Sequence, residues 1–307
     1  MREKAKAMVV ASFVADSLAL GAHWIYNTNE IERRFGRVRS LQKPHQGSYH
    51  PTKDLGEFTH YGDQALVLLE SIAACSGFDL AEFARSWSTM FADYHGYFDK
   101  ATKGTLKNFS EAVPPTASGS PSTDLAGAAR IAPLVYRYRN SPEELVIHAR
   151  AQTVMTHNNP MVVAAADFFA RVTYLVLSGN DPQTAMTSAA QESFAGTPIE
   201  EWVTSCLRSI PGESREAVAG FGQSCDTRSA FPAVVHLIAK YQSDLKEALI
   251  ENVMAGGDSA ARGMVVGMVL GAHLGFEAIP GEWLTAMKQY RHILQLLDRV
   301  SANSVNT

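Results

Sequence analysis

Asp258 lies directly after two glycines and directly before a long apolar run, within residues 254–263. A Gly-Gly turn of this kind predicts a sharp bend into a helix, with Asp258 at the helix mouth. Free backbone N–H groups and the helix dipole favour anions at such a position. An aspartate that only caps the helix fits the same pattern. A functional site and a structural cap therefore both stay open for Asp258.

Two more aspartates, like Asp258, occupy positions that fit either a structural or a functional carboxylate. Asp63 ends a polar, aromatic stretch, residues 59–62, and is predicted to cap the helix that follows. Asp16 lies inside an apolar helical run, and burying a carboxylate is expensive unless it is paired or coordinated. For each of them a purely structural aspartate is the alternative to a functional one.

Two other segments carry polar groups between apolar helices. His157 falls in a Thr-His-Asn-Asn-Pro junction, where a histidine is more often a structural hydrogen-bonding group than a catalyst. Arg130 stands among small apolar residues, and we expect it to pair with a buried carboxylate.

The elements that must position these residues are helices. Apolar residues recur at three- and four-residue intervals along most of the chain, and no alternating run is long enough for a strand. One face of a predicted helix lacks side chains because glycine recurs at every fourth residue, at Gly263, Gly267, Gly271 and Gly275. This glycine stripe predicts a central helix that another helix approaches closely. Residues 36–62 and 105–123 are predicted to be long loops, which are usually functional or disordered. The sequence thus predicts a single all-α domain over residues 1–307.

Composition excludes some partner classes. The 307 residues are 46% hydrophobic and 19% charged, with a formal net charge of -4, so neither nucleic acid nor an anionic membrane is expected as a partner. The longest apolar runs fall short of the ~20 residues of a membrane helix or carry charges. Cys75 and Cys206 are predicted to be small core residues, and this cysteine usage suits a reducing, cytoplasmic compartment.

In order and spacing, five segments resemble the motifs of the ADP-ribosylglycohydrolase superfamily. They cover almost the whole chain, and their positions are residues 15–21, 61–64, 129–133, 156–157 and 256–261. The resemblance implies a compact, all-α fold of that type. It also implies two divalent metal ions, which the family holds with a Thr and paired aspartates in its first metal motif and two aspartates in its last.

This chain departs from the family at the metal motifs. Tyr61 and Gly62 stand where the family has Thr and Asp, and Ala260 stands where it has its second Asp; Asp63 and Asp258 remain. Two hard cations need several carboxylate oxygens. We therefore expect at most one weakly bound Mg²⁺ or Mn²⁺, or none. Restoring the carboxylates with Gly62→Asp and Ala260→Asp is expected to recover metal binding.

By resemblance, the chain is a hydrolase of an ADP-ribosyl or related glycosidic bond with a depleted metal site. Facing carboxylates can stabilise an oxocarbenium-like state and position a water without metal. The implied catalytic residues and weak or vacant metal ligands are Asp63 and Asp258, with Asp16 in support. The residues implied to line a pocket for a small ligand of ADP-ribose or nucleoside type are Ser122, His157 and Arg262.

A second branch of the superfamily gives the alternative. Residues 60–64 and 257–262 resemble the J-crystallins, which are structural proteins built on the hydrolase scaffold. A non-catalytic ligand-binding or structural protein on the same fold therefore stays open, since a fold does not guarantee its usual function.

Overall fold

The computed structural model describes residues 2–303, and these form helices joined by turns and loops. In chain order the helices are α1 (Arg2–Ala19), α2 (Thr28–Phe35), α3 (His60–Cys75), α4 (Leu80–Ala92), α5 (Lys100–Ser110), α6 (Ala126–Ala129), α7 (Ala132–Arg137), α8 (Pro142–Thr156), α9 (Pro160–Leu177), α10 (Pro182–Ser193), α11 (Pro198–Leu207), α12 (Ser214–Phe221), α13 (Thr227–Lys240), α14 (Leu245–Met254), α15 (Ser259–Leu274), a 3₁₀ turn (Phe276–Ala278), α16 (Gly281–Ala286) and α17 (Tyr290–Asn303). In this part of the chain β-type pairing is limited to two isolated bridges. The prediction of an all-α fold is confirmed.

The glycine-striped helix α15 lies at the centre of the fold, against α1. Residues 259–272 of this helix are all buried. A Cβ added to Gly267 would lie 2.5 Å from the carbonyl oxygen of Ala11, and one added to Gly271 would lie 2.7 Å from the Ala11 Cβ. The stripe therefore lets the two backbones touch, as the spacing of the glycines predicts.

Helix α9 is the one described helix that is long and apolar enough by composition to cross a bilayer. Within the fold, 61% of that stretch is buried, as is usual for a core helix. Its buried Asp167, the one acidic residue of α9, is paired with Arg171 at 2.7 Å and with Arg150. These two arginines neutralise its charge.

Some predicted elements differ from the structure at their ends. The predicted helix over residues 125–138 is divided into α6 and α7, because Arg130 ends one helix and Ile131 begins the next. Pro133, in the first turn of α7, has no N–H to continue the earlier helix. The predicted loop over residues 105–123 is shorter, since α5 extends to Ser110.

The two predicted core cysteines have different environments. Cys206 is buried, as predicted, whereas Cys75 is exposed, so the prediction for Cys75 is wrong. Cys75 is the last residue of α3, where the helix leaves the core, and an apolar neighbourhood in sequence did not reveal that it faces outward.

The contact between α1 and α15 predicts that a single methyl group added to α15 destabilises the fold. We expect Gly267→Ala to lower the free energy of unfolding by roughly 1–3 kcal/mol, because the new Cβ meets backbone atoms of α1 rather than a flexible side chain. Urea denaturation measures this. Gly220→Ala in α12 is the matched control: no atom lies within 4 Å of its added Cβ, so it should be neutral or stabilising. Equal effects of the two substitutions would contradict backbone contact at Gly267.

Candidate functional site

A left-handed Gly-Gly turn fixes the entrance to α15. Gly256 and Gly257 have φ of +71° and +67°, and a Cβ on Gly257 would lie 2.1 Å from the carbonyl oxygen of Gln223. The Trp24 N–H donates to the Gly257 carbonyl at 2.9 Å, and the Gly257 N–H donates to the Ile25 carbonyl at 2.9 Å. This reciprocal pairing places the segment after α1 beside the mouth of α15.

A second pairing places Asp124 next to Cys225. The Leu125 N–H donates to the Cys225 carbonyl at 2.9 Å, and the Thr227 N–H donates to the Thr123 carbonyl at 2.8 Å. The loop before α6 is thereby held against the segment before α13. Asp124 belongs to no family motif quoted above, and its local sequence resembles that of any polar loop residue.

Asp124 and Asp258 form a buried pair of carboxyl groups. Oxygens of both and the Cys225 sulfur lie within 4.8 Å of one another. The Tyr61 hydroxyl lies 3.3 Å from an oxygen of each carboxyl and can donate to either. Asp258 also caps α15 by accepting from the Ala261 N–H at 3.3 Å. Asp258 therefore both caps α15 and belongs to the carboxyl pair.

The proximity of these carboxyls changes their proton affinities. Burial raises the pKa of Asp258 to about 6, although the positive charge of Arg262 opposes the rise. Burial and the charge of Asp258 raise the pKa of Asp124 well above its usual value. Two like charges this close cannot both form readily. The two carboxyls therefore titrate as a pair that keeps a proton to higher pH than two isolated carboxyls would.

Asp63 lies in a different environment from Asp258. Its Oδ2 accepts from the Lys53 ammonium at 2.5 Å and from the Tyr94 hydroxyl at 2.5 Å. Among the described residues Asp63 and Asp258 have no hydrogen-bond partner in common. The predicted cap at Asp63 is wrong: Thr59 caps α3, which begins three residues earlier, at His60. That Asp63 and Asp258 are catalytic stays a prediction.

Asp16 is buried, as its place in an apolar helix predicts, and it hydrogen-bonds to Thr59, the residue that caps α3. Its two oxygens accept from the Thr59 hydroxyl at 2.6 Å and the Thr59 N–H at 2.8 Å. Burial raises its pKa to about 7. A Cβ on Gly62 would lie 2.5 Å from Asp16 Oδ2. Gly62→Asp therefore requires Asp16 to move, and recovery of metal binding by this substitution stays a prediction.

Arg262 stabilises the Gly-Gly turn. Its side chain is fully buried and donates to the Gly256 carbonyl at 2.6 Å and to the side chain and carbonyl of Asn252 at 3.2 Å each. The guanidinium therefore holds this turn, and a role for Arg262 in ligand binding stays a prediction.

Arg130 is also buried, but its hydrogen-bond partners are neutral. It donates to the side-chain oxygens of Gln152 at 2.9 Å and Gln64 at 2.7 Å, and to Thr156. The prediction of a paired carboxylate is wrong, because amide oxygens supplied by α3 and α8 satisfy the guanidinium instead.

Ser122 and His157 lie on the loop and helix end that flank Asp124. The Ser122 hydroxyl accepts from the Asp124 N–H at 3.3 Å, and Ser122 is partly exposed. His157 ends α8 and is buried; its Nδ1 lies 2.9 Å from the Thr156 hydroxyl, and its Nε2 has no hydrogen-bond partner among residues 2–303. A role for both in ligand binding stays a prediction.

Two buried histidines extend the site towards the surface. Neither ring nitrogen of His23 or of His50 has a hydrogen-bond partner in the described part of the chain. Nδ1 of His23 lies 3.7 Å from Asp258 Oδ1. Burial lowers the pKa of His50 to about 2 and that of His23 well below its usual value. Both imidazoles are therefore neutral and still able to hydrogen-bond a polar ligand or water.

Aromatic rings surround the histidines at the site's outer face. Trp24 stacks on His23 with ring centroids 4.3 Å apart, and Tyr49 and Tyr97 meet Trp24 edge-on at 4.9 and 5.0 Å. Trp24 has φ of 64°, which a residue with a large side chain rarely adopts, so the fold holds this ring in place against backbone strain. A cavity of about 360 Å³ opens here; its lining includes His23, Trp24, Tyr26, Arg34, His45 and Tyr49.

The residues present do not fit two divalent metal ions. The Asp63 carboxylate is neutralised by Lys53, and positions 62 and 260 offer no oxygen ligand. One ion fits better at Asp124, Asp258 and Cys225, whose ligand atoms are close enough to share it. Carboxylates suit Mg²⁺ and Mn²⁺, whereas the thiolate favours a softer ion such as Zn²⁺.

Comparison with known proteins identifies the family of this chain. The sequence profile of the ADP-ribosylglycohydrolase family matches residues 1–306. The chain belongs to that family. Crystallin J1A of Tripedalia cystophora is 25% identical over 98% of this chain and 97% of its own length. The ADP-ribosyl-[dinitrogen reductase] glycohydrolase of Rhodospirillum rubrum is 25% identical over 92% of this chain and 91% of its own.

A solved structure confirms the fold of this family member. It is described as an ADP-ribosylglycohydrolase-related protein complex, and it superposes with a TM-score of 0.78 over 99% of this chain and 98% of that one, at 23% identity. At this identity the likeness concerns the fold alone.

The raised pKa of Asp258 predicts a pH dependence. Between about pH 4 and pH 6 the native chain keeps this proton while the unfolded chain has released it. The stability contributed by this group is therefore present at low pH and lost as pH rises through about 6. We expect the free energy of unfolding of the wild type, minus that of Asp258→Asn, to fall by up to about 1.4 kcal/mol per pH unit in this range.

Urea denaturation at several pH values tests this expectation, since asparagine still caps a helix. Asp181→Asn at the exposed cap of α10 is the control: local hydrogen bonds from Thr184 lower the pKa of Asp181, so its difference from wild type should change little above pH 5. A flat difference for Asp258→Asn would mean that Asp258 is ionised throughout.

Proposed function

We propose that this chain hydrolyses a glycosidic bond to the ribose of an ADP-ribosyl or related ligand, with Asp124 and Asp258 as its acid and base. The observation that carries the proposal is the pair of buried carboxyls that share the Tyr61 hydroxyl beside a partly open pocket. Asp124 takes the catalytic place that the sequence alone assigned to Asp63.

The proton shared by the pair supplies the chemistry. Asp124, in its protonated form, donates a proton to the leaving group as the glycosidic bond breaks. Asp258, the carboxylate, stabilises the developing positive charge at the anomeric carbon and accepts a proton from the attacking water. His23, neutral and 3.7 Å from Asp258, is placed to orient that water or a ribose hydroxyl.

The pocket supports a nucleotide-type ligand. Trp24, Tyr26 and Tyr49 offer aromatic faces to a flat base, while Arg34 and His45 add groups suited to an anionic phosphate. The relative from Rhodospirillum rubrum is named for an ADP-ribosylated protein, which supports the same substrate class. We propose a small-molecule or protein-linked ligand of this class and no nucleic acid or membrane partner.

The cofactor and the compartment belong to the same proposal. At most one divalent ion, Mg²⁺ or Mn²⁺, would be held by Asp124 and Asp258, and in binding it would supply a positive charge beside them. A cytoplasmic location is inferred from the three free cysteines, none of which forms a disulfide.

A non-catalytic role is the second candidate, and one observation favours it. The match to the relative named Crystallin J1A covers 98% of this chain, and one of the two paired aspartates of the family's first motif is replaced by Gly62. In this case the pocket would bind the ligand without cleaving it, or the protein would have a purely structural role in which the pocket binds no ligand.

Substitution of the carboxyl pair separates the two candidates. We expect Asp124→Asn and Asp258→Asn each to reduce the rate of ADP-ribose release from an ADP-ribosylated peptide by roughly 10²–10⁴-fold, as loss of an acid or base does. The dissociation constant for ADP-ribose, measured by calorimetry, should change much less. Asp181→Asn, on the remote α10, should leave both unchanged.

Other results assign the non-catalytic role or neither. Binding of ADP-ribose without release from any ADP-ribosylated peptide, with and without Mg²⁺, would support the non-catalytic role. If neither binding nor release is found, the pocket has lost the ligand class of the family.

A further inference from the structure

Lys53 has an unusual place for a lysine. It extends from the loop before α3 into the site, where only 14% of its side chain is exposed. Its ammonium lies 2.5 Å from Asp63 Oδ2 and 5.3 Å from the centre of the Tyr94 ring. Burying a lysine requires a partner for its charge. Asp63, 17% exposed, provides it.

Asp63 is the carboxylate that this chain keeps from the first metal motif of its family. A lone carboxylate this deeply placed needs a compensating cation. In this chain Lys53 provides the positive charge, and the Tyr94 hydroxyl adds a hydrogen bond to the same oxygen at 2.5 Å. Both contacts are made to Oδ2, so a metal ion binding that oxygen would have to compete with them.

The surroundings of Asp63 offer no replacement ligands. Gly62 has no side chain, and the space beside it is filled by Asp16, both of whose oxygens are already bonded to Thr59. Asp99, another buried carboxylate nearby, is paired with His60 at 3.2 Å. Both oxygens of Asp16 therefore already have a partner from the chain itself, and an oxygen of Asp99 lies against His60.

We propose that the ammonium of Lys53 replaces a divalent cation at Asp63, so that this half of the site carries its positive charge in the protein and binds no metal. Lys53 is thus a positioning residue: it holds Asp63 charged and fixed beside α3. The inference concerns the charge at Asp63 and stands whether or not the Asp124–Asp258 pair hydrolyses a ligand.

Removing the ammonium should open Asp63 to metal. We expect Lys53→Met to lower the melting temperature in EDTA, because it leaves a carboxylate without its cation. In 10 mM MgCl₂ this variant should regain roughly 2–4 °C more than the wild type does. Lys53→Arg keeps the charge and should respond to Mg²⁺ as the wild type does. The double variant Lys53→Met, Asp63→Asn should lose the extra response.

Two controls confine the effect to this pair. Lys288→Met removes a lysine that pairs with Asp54 and Glu57 at 3.3 and 3.2 Å on the surface, and it should gain no Mg²⁺ response. Any ion bound at Asp124 and Asp258 acts equally in wild type and Asp63→Asn, so comparing these two isolates Asp63.

Calorimetric titration of the wild type with MgCl₂ tests the inference even if Lys53→Met does not fold. The inference predicts the same Mg²⁺ binding in wild type and Asp63→Asn. It is overturned if Asp63→Asn loses Mg²⁺ binding that the wild type shows, or if folded Lys53→Met responds to Mg²⁺ no more than the wild type. Failure of the hydrolysis assay alone leaves this outcome unchanged, so the two proposals fail separately.

Discussion

Burial of carboxylates at the junction of several helices is the constraint on which the rest of this structure depends. Each carboxylate must be neutralised, shared or hydrogen-bonded, because an unpaired charge in a protein interior costs several kcal/mol. The chain uses a different solution for each. Asp16 bonds to Thr59, Asp63 to Lys53, and Asp124 shares the Tyr61 hydroxyl with Asp258.

The close contact of α1 and α15 brings these groups together. Because glycines in α15 let its backbone touch the alanines of α1, the two helices lie side by side, with Asp16 in one and Asp258 at the mouth of the other. The Gly-Gly turn then pairs with Trp24 and Ile25, which brings His23 next to Asp258. Helix packing thus controls the chemistry of the site directly.

The substitutions at the metal motifs occur together with the charge pairing seen at the site. Where the family resemblance implies carboxylates and metal ions, this chain has Lys53 against Asp63 and a second carboxyl, Asp124, beside Asp258. In the described residues, the charge of Asp63 is balanced by a side chain of the polypeptide itself.

The sequence determined the all-α fold, the central glycine-striped helix, the burial of Asp16 and the capping role of Asp258, because periodicity and turn residues act over a few neighbouring positions. Only the tertiary structure decided that Asp124 joins Asp258, that Lys53 joins Asp63, and that Arg130 bonds amides rather than a carboxylate. Asp124 and Asp258, and Arg130 and Gln64, are far apart in the chain, and Lys53 reaches Asp63 from the loop before α3. Their partners are chosen by packing geometry and by the need to satisfy buried charge, and no local pattern encodes either.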